Sequence, residues 1–228
     1  MEKKIVKEAV HFLEKFTNER RKDLLDKNIE NRTRYITVVL EDIFQPQNAS
    51  AVMRSCDCFG IQDLHVIENH NEFHLNPDVV MGSSKWVNLH QYNQEKQNTN
   101  AAISKLRKQG YRIVATSPHR NDILLPDFDL SKGKAAFFFG TELTGLSDEV
   151  MKNADEFVKI PMYGFTESFN ISVSAALVLS HLTTALRQSH VNWQLSDHEK
   201  FELKLDWLLK SVRSGSELLN EFLKKNKH

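Results

Sequence analysis

The chain has 228 residues, 40% hydrophobic and 26% charged, values typical of a globular protein with one sizeable core or a core with helical extensions. Lys plus Arg and Asp plus Glu number 30 each, so the net charge does not by itself indicate a nucleic-acid partner. The two cysteines, Cys56 and Cys58, have no second pair to complete a zinc site, which predicts thiols in a reducing compartment and no bound metal. No apolar run resembles a signal peptide or a transmembrane span, so we expect a cytoplasmic protein with no membrane partner.

Residues 1–34 are predicted to form an N-terminal helical extension. Apolar side chains recur there three and four residues apart, as on the buried face of a helix: Ile5, Ala9, Phe12, Leu13 and Phe16. Lys and Arg outnumber Asp and Glu in this segment, and candidates for contact with phosphates are Arg20, Arg21, Lys22, Arg32 and Arg34. A solvated helix face explains these charges equally well.

The hydrophobic period changes at Tyr35, where a continuous β-branched run predicts a strand buried on both faces. Similar short runs predict strands at 64–67, 113–115, 135–139 and 157–160. Helical patterns lie at 50–59, about 95–109, 147–154 and 171–187. The alternation predicts an α/β domain over residues 35–188, with a mostly parallel sheet and helices on both of its faces.

Residues 189–228 are predicted to form a C-terminal helical extension. Two apolar stripes run along it: Phe201, Leu205, Leu208 and Val212, then Leu218, Leu219, Phe222 and Leu223. Core packing is the usual role of such stripes. Contact with RNA is the alternative, and the basic residues at the end of the chain are its candidates: Lys224, Lys225 and Lys227.

Three strand-to-helix loops contain the candidate functional residues, and the first runs from Glu41 to Cys56. It contains Asn48 and Ser50, either of which would cap the following helix, and Arg54, about one turn inside that helix. Spacing alone does not separate a functional Arg54 from a surface or ion-pair arginine.

The second loop spans 137–147 and includes Gly140, Glu142 and Gly145. Glycines let a ligand approach the backbone closely, at the carboxyl end of the sheet where open α/β proteins bind ligands. The alternative is a plain connection in which Ser147 caps the next helix and Glu142 is solvated. The glycines are too few for a phosphate-binding or dinucleotide-binding loop.

The third loop spans 160–176 and places Ser168 and Asn170 at the start of a helix rich in Ser and Ala. Backbone amides at a helix N-terminus suit a carboxylate or phosphate. Capping and close helix packing explain the same residues without a ligand.

In order and spacing, the three loops resemble the three signature motifs of the SpoU (TrmH-like) RNA methyltransferases, over about residues 35–188. Asn48 and Arg54 have the spacing of the first motif, Asn-x5-Arg, and resemble it. The second, Phe-Gly-x-Glu-x-x-Gly, is matched by Phe139, Gly140, Glu142 and Gly145. The third is matched by Ile160, Pro161, Met162, Ser168, Asn170 and Ser172.

The resemblance implies a C-terminal trefoil knot, a homodimer with the 171–187 helix largely in its contact, and S-adenosyl-L-methionine as cofactor. It implies cofactor contacts from backbone groups of Thr116, Gly140, Ile160 and Phe169. The implied catalytic residues are Arg54, Asn48, Glu142, Ser168 and Asn170. In that scheme Arg54 activates the ribose 2'-hydroxyl, either as a base or by gripping the adjoining phosphate. Asn48 would fix Arg54 or the ribose, and Glu142 would orient a basic neighbour.

The segment 82–87 is similar to the tRNA-type branch, which implies tRNA as substrate and the ribose of guanosine-18 in the D-loop as the target. One departure is Gln45-Pro46-Gln47-Asn48, where that branch more often has Lys-Pro-His-Asn. An rRNA ribose methyltransferase is an alternative, disfavoured because residues 1–34 are too few for an added RNA-binding domain. A catalytically silent RNA-binding module would share the fold, and a generic α/β nucleotide-binding enzyme would share the alternation of strands and helices.

Overall fold

A computed structural model describes residues 1–117 and 123–225, and the chain divides into two compact units. Thr33–Trp193 form an α/β unit, whereas Met1–Arg32 and Gln194–His228 together form a helical unit. The two terminal extensions, predicted as separate segments, therefore belong to the same unit. Lys227, one of the candidates for RNA contact, lies outside the described residues.

The α/β unit is built on a parallel sheet, which in the described residues has seven strands in the order β3-β2-β1-β6-β4-β7-β5. The strands are β1 (Ile36–Glu41), β2 (Asp63–Ile67), β3 (Asn88–Tyr92), β4 (Arg112–Thr116), β5 (Ile123–Leu124), β6 (Ala135–Phe139) and β7 (Glu156–Lys159). The predicted α/β fold with a parallel sheet is confirmed. The strands all end at one edge of the sheet, which we call the carboxyl edge, and begin at the opposite one, the amino edge.

Helices cover both faces of this sheet, as predicted. The α/β unit contains α3 (Pro46–Phe59), α4 (Pro77–Val80), α5 (Thr99–Lys108), α6 (Asp148–Asn153) and α7 (Ile171–Gln188). Alternate β1 side chains point to opposite faces. Val38 packs in one buried cluster with residues of α3 and α7, and Val39 packs in another with residues of α5 and α6.

Two strands, the short helix α4 and two helix starts differ from the prediction. The strands β3 and β5 were missed, because β3 is a partly exposed edge strand of polar composition and β5 has only two residues. Helix α3 begins at Pro46 rather than Ser50, with Gln45 as N-cap, because proline fits the first helical position. Neither Asn48 nor Ser50 is its cap. Helix α5 begins at Thr99 rather than near Glu95.

An apolar stripe of α7, the helix expected to lie largely in a dimer contact, is buried within this chain. Its residues Ile171, Ala175, Leu179 and Leu182 belong to the core cluster shared with the sheet and α3. They pack inward because they recur at helical spacing on the face toward the sheet. Val173 and Leu177, on another face, are about two-fifths exposed.

The helical unit contains α1 (Lys3–Glu14), α2 (Glu19–Ile29), α8 (Asp197–Ser211) and α9 (Gly215–Lys225). Lys204 of α8 pairs with Glu14 of α1 and Asp26 of α2, and Phe12 stacks on Phe222 of α9. Phe16 lies beyond α1 and is half exposed, so it does not extend the predicted stripe. Across the described residues, no helix combines the length and the apolar character needed to cross a membrane.

Candidate functional site

A cavity of about 500 Å³ lies at the carboxyl edge of the sheet. Its wall is formed by the segments that follow β4, β6 and β7 and by the first turn of α7. The described lining residues are Thr116, Ser117, Phe139 through Leu146, Met151, Val158, Ile160, Met162, Ser168, Phe169, Ile171 and Ser174. This is the position at which open parallel sheets bind ligands, because the connecting loops diverge there.

The loop after β6 is folded into a compact turn that forms one side of the cavity. The backbone N–H groups of Thr141 and Gly145 each donate to the other residue's carbonyl, at 3.0 Å in both cases. A Cβ atom at residue 140 would overlap the carbonyl of Gly145, and Gly145 itself has a φ of 70°. Both glycines are therefore required by the shape of this turn.

Side chains from all three motif loops meet in one hydrogen-bonded cluster, which we call the amide-carboxylate cluster: Asn48, Glu142 and Asn170. Oε1 of Glu142 accepts a hydrogen bond from Nδ2 of Asn48 at 3.1 Å and another from Nδ2 of Asn170 at 2.8 Å. Nδ2 of Asn170 also donates to Oδ1 of Asn48 at 3.1 Å. The second carboxylate oxygen of Glu142 has no hydrogen-bond partner in the described part of the chain.

Asn170 also serves as the N-cap of α7. Its Oδ1 accepts from the backbone N–H of Ser172 at 2.8 Å and from the Ser172 hydroxyl at 2.6 Å. The capping interpretation is confirmed for Asn170, as it is for Ser147, whose hydroxyl accepts from the N–H of Val150. The amide of Asn170 thus fixes the start of α7 with its oxygen and joins the cluster with its nitrogen.

Most of the predicted site residues come together, with one exception. Thr116, Gly140, Ile160, Phe169, Glu142 and Ser168 line the cavity. Asn48 and Asn170 are bonded to Glu142 just beside it. Arg54 is exposed on α3, six residues beyond Asn48, and forms no hydrogen bond or ion pair with another described residue.

Within the described part of the protein, two cluster residues contact amide side chains and not basic ones. Asn48 is 8% exposed, and its hydrogen bonds go to Gln45, Glu142 and Asn170 rather than to Arg54. Glu142 is bonded to two neutral amides, and no basic side chain of the described residues pairs with it. The cluster is therefore held by amide geometry rather than by ion pairs.

Among the residues at this site that were not predicted are Gln45, Ser117 and Ser174. Oε1 of Gln45 accepts from Nδ2 of Asn48 at 3.0 Å, so the glutamine that departs from the family's more common lysine is bonded to the cluster. Ser117 lines the cavity immediately after β4, and the rule that ligands bind at the carboxyl ends of strands would have selected it. Ser174 lies one helical turn after Asn170, on the face of α7 that lines the cavity. A serine in a helix does not by itself indicate which face it occupies.

The cavity suits a cofactor that combines an apolar thioether-like part with a polar nucleoside and carries positive charge. Its volume lies in the usual range for small-molecule sites, roughly 300 to 1,000 Å³. Met162, Ile160 and Phe169 supply apolar surface, and Glu142 is the one charged side chain among the described lining residues. These features fit S-adenosylmethionine, whose sulfonium is cationic.

The parallel sheet and its three linked loops define an α/β methyltransferase fold of the SpoU type. Residues 35–180 match the SpoU rRNA Methylase family, and the chain belongs to that family. The resemblance inferred from the motifs is thereby confirmed.

Two relatives bear the same enzyme name. The chain is 46% identical to the tRNA (guanosine(18)-2'-O)-methyltransferase of Borreliella burgdorferi, over 92% of this chain and 94% of that protein. It is 31% identical to the enzyme of the same name from Thermus thermophilus, over 71% of this chain and 80% of that protein.

Solved structures agree with the fold. The TrmH/SpoU tRNA modifying enzyme of A. aeolicus superposes with a TM-score of 0.74 at 25% identity, covering 86% of this chain and 98% of that one. The SpoU methyltransferase AviRb from Streptomyces viridochromogenes, crystallised in complex with the cofactor AdoMet, has a TM-score of 0.59 at 23% identity, covering 72% and 62% respectively. The latter likeness concerns the fold alone.

Proposed function

We propose that this protein transfers a methyl group from S-adenosylmethionine to the ribose 2'-hydroxyl of guanosine-18 in tRNA. The observation that carries the proposal is the amide-carboxylate cluster, which joins all three family motifs beside a cavity of cofactor size. The tRNA (guanosine(18)-2'-O)-methyltransferase of Borreliella burgdorferi, which aligns along nearly the whole chain, supports the substrate.

In this proposal the cofactor lies against backbone groups of Thr116, Gly140, Ile160 and Phe169, with Met162 beside its methionine part. When bound, S-adenosylmethionine supplies an activated methyl group, so the task of the protein is mainly to position the acceptor. The compact turn at 140–145 lets the backbone approach a ligand closely, because residue 140 has no side chain. Glu142 offers its free carboxylate oxygen toward positive charge in the cavity.

Arg54 acts on the acceptor in this proposal. The transfer would exchange the carbon–sulfur bond of the sulfonium for a bond from the ribose oxygen to the methyl carbon, with the neutral thioether as leaving group and the hydroxyl proton passing to solvent. The exposed guanidinium of Arg54 has no partner among the described side chains and is free to grip the phosphate next to the target ribose bidentately. The fixed donor geometry of a guanidinium suits this grip, so we assign Arg54 the orientation of the hydroxyl. Ser168 and Asn170 shape the loop that faces both ligands.

We further propose that the chain forms a homodimer and that its C-terminal part is knotted. Large apolar side chains are exposed on the loop before α7 and on its outer face: Tyr163, Phe165, Phe169, Val173 and Leu177. Such a patch favours a protein interface. Membership of the SpoU family supports the knot, as does the sheet order, in which β7 lies between β4 and β5. We also propose that the protein acts in the cytoplasm, which is supported by relatives that are named as tRNA methyltransferases.

Methyl transfer from labelled S-adenosylmethionine to unmodified tRNA transcripts tests the function. We expect transfer to a transcript with guanosine-18 and none to a transcript in which that base alone is replaced. Transfer to 23S rRNA but to neither tRNA transcript would indicate the rRNA enzyme instead. Cofactor binding without transfer to any RNA would indicate the silent RNA-binding module.

A further inference from the structure

A buried carboxylate that no motif includes is hydrogen-bonded to Ser147, the residue that follows the cavity-lining segment 140–146. Glu41 is the last residue of β1 and is only 2% exposed. In the register of the sheet, Leu40 pairs with Phe139 of the neighbouring strand β6, so Glu41 and Gly140 both follow at the carboxyl edge. Burial of a carboxylate is costly unless its oxygens are satisfied by hydrogen bonds.

Donors from two helix starts satisfy Glu41. Its Oε2 accepts from the backbone N–H of Ser147 at 2.8 Å, and its Oε1 accepts from the Ser147 hydroxyl at 2.7 Å. Oε1 also accepts from the hydroxyl of Thr99, the first residue of α5, at 2.7 Å. No cationic partner is present among the described residues, so Glu41 serves as an acceptor for these donors rather than as half of an ion pair.

Ser147 is the residue that ends the cavity loop. Residues 140–146 all line the cavity, and Ser147 follows them as the N-cap of α6. One end of the loop is continuous with β6, and Glu142 within it is tied to Asn48 and Asn170. The hydrogen bonds from Ser147 to Glu41 fix the other end to β1, an interior strand of the sheet.

The anchor is itself held in place. Thr99 accepts a hydrogen bond from Nδ2 of Asn69 at 2.9 Å, and the backbone N–H of Asn69 donates to Asp42 at 2.6 Å. The segments after β1 and β2 and the starts of α5 and α6 therefore share one polar network. In such a network, the loss of one hydrogen-bond partner weakens the bonds among the remaining members.

We infer that Glu41 is a positioning residue for the cofactor site: by binding Ser147 it holds the 140–146 loop in the shape that receives the donor. This inference rests on the proposed function, because it takes S-adenosylmethionine as the occupant of the cavity. Glu41 acts through Ser147 and the loop and does not line the cavity itself.

Calorimetric titration of S-adenosylmethionine into the full-length chain tests the inference, with the wild-type titration made first. Glu41→Gln presents an amide N–H₂ where donors already point, so we expect a loss of cofactor affinity of about tenfold or more. Turnover should recover to near the wild-type kcat at saturating cofactor, so that the defect is confined to KM for the cofactor. Ser147→Ala keeps the backbone bond and should weaken cofactor binding by about threefold.

Two variants control for general loss of stability. Asp63→Asn alters a comparably buried carboxylate at the amino edge of the sheet, and Ser196→Ala removes the N-cap of α8 in the helical unit. Both should lower resistance to urea while leaving the cofactor dissociation constant unchanged.

If Glu41→Gln fails to fold, the inference is tested by comparing the cofactor affinity of Ser147→Ala with that of Ser196→Ala. Unchanged cofactor affinity in Glu41→Gln overturns the inference and leaves the proposed function intact. If Glu41→Gln does not fold, unchanged affinity in Ser147→Ala has the same meaning. Loss of affinity in the two controls to the same extent also overturns it. A wild-type protein that does not bind S-adenosylmethionine overturns the proposed function itself.

Discussion

The two edges of the parallel sheet both carry polar clusters, but these are built for different purposes. At the amino edge, Asp63 accepts from Nε of Arg34 at 2.9 Å and from Nδ2 of Asn88 at 3.0 Å, and it lies 3.2 Å from Nε2 of His90. At the carboxyl edge, Glu142 is exposed and bonded to two neutral amides, with one oxygen left over. The charge of Asp63 is therefore neutralised by neighbouring side chains, whereas the charge of Glu142 stays available to a ligand.

The pKa values of Asp63, at the amino edge, and of His65, in the middle of β2, have a structural rather than a catalytic cause. Burial alone would raise the pKa of Asp63, but hydrogen bonds from His90 and Asn88 and the charge of Arg34 outweigh it and lower that pKa to about 2. Burial and the neighbouring His90 lower the pKa of His65 to about 3. His65 stacks on His90 with ring centroids 4.6 Å apart, and its Nδ1 lies 3.0 Å from the Tyr92 hydroxyl. The shifted pKa values of these two groups therefore reflect stabilising contacts, although shifted pKa values often indicate active sites.

Replacement of Arg54 should have the largest effect on activity. We expect Arg54→Ala to fold normally, bind cofactor with unchanged affinity, and lose about a hundredfold or more in kcat, because the acceptor hydroxyl is no longer oriented. Arg213→Ala, which removes an exposed arginine of the helical unit, is the matched control and should keep full activity. A near-normal turnover of Arg54→Ala would remove Arg54 from the site.

Replacement of Asn170 should have a smaller effect. Asn170→Ala removes the shorter of the two hydrogen bonds to Glu142 and the cap of α7, so we expect kcat/KM to fall about tenfold in steady-state assays. The control is Asn18→Ala, which removes the cap of α2 in the helical unit. Equal losses of activity in the two variants would mean that the cluster contributes nothing beyond helix stability.

The central part of the fold could be predicted from sequence because its strands are buried on both faces. A continuous apolar run such as Ala135–Phe139 is shorter than a typical helix and therefore favours a buried strand, and β6 has those bounds. The edge strand β3 was missed because its exposed positions accept polar residues such as Gln91. The start of α3 was missed because Pro46 favours a loop as readily as a first helical turn.

The candidate site could be predicted only in part, for a different reason. Residues brought together by three distant loops, such as Asn48 and Asn170, were predicted from the family motifs, whose spacing encodes a tertiary arrangement that local patterns do not. Glu41 was not predicted, since a glutamate after a strand is usually solvated and its burial depends on donors 58 and 106 residues further along the chain.

A change of pH should have a smaller effect than these replacements, on the stability of the sheet around His65 in the middle of β2. Because the pKa of His65 is lowered from 6.5 to about 3 in the folded protein, the unfolded chain binds more protons between these two pH values. The contribution of His65 is therefore fully present above pH 6.5 and declines as the pH falls, by at most about 1.4 kcal/mol per pH unit.

Urea unfolding of the wild type and of His65→Asn at pH 7.5 and pH 5 measures this contribution. The variant should lose less stability than the wild type between the two pH values. Equal losses in the two proteins would show that His65 titrates in the folded protein as it does in the unfolded chain.

Hydrogen exchange with and without S-adenosylmethionine most directly tests the claim that the carboxyl edge is the functional edge. We predict that the cofactor slows exchange of backbone amides in residues 140–147 and 168–174, where the cavity loop and the start of α7 lie, and leaves residues 88–92 of the outer strand β3 unchanged. Protection confined to the neighbourhood of Asp63, His65 and His90, with none in the cavity loop, would contradict the account.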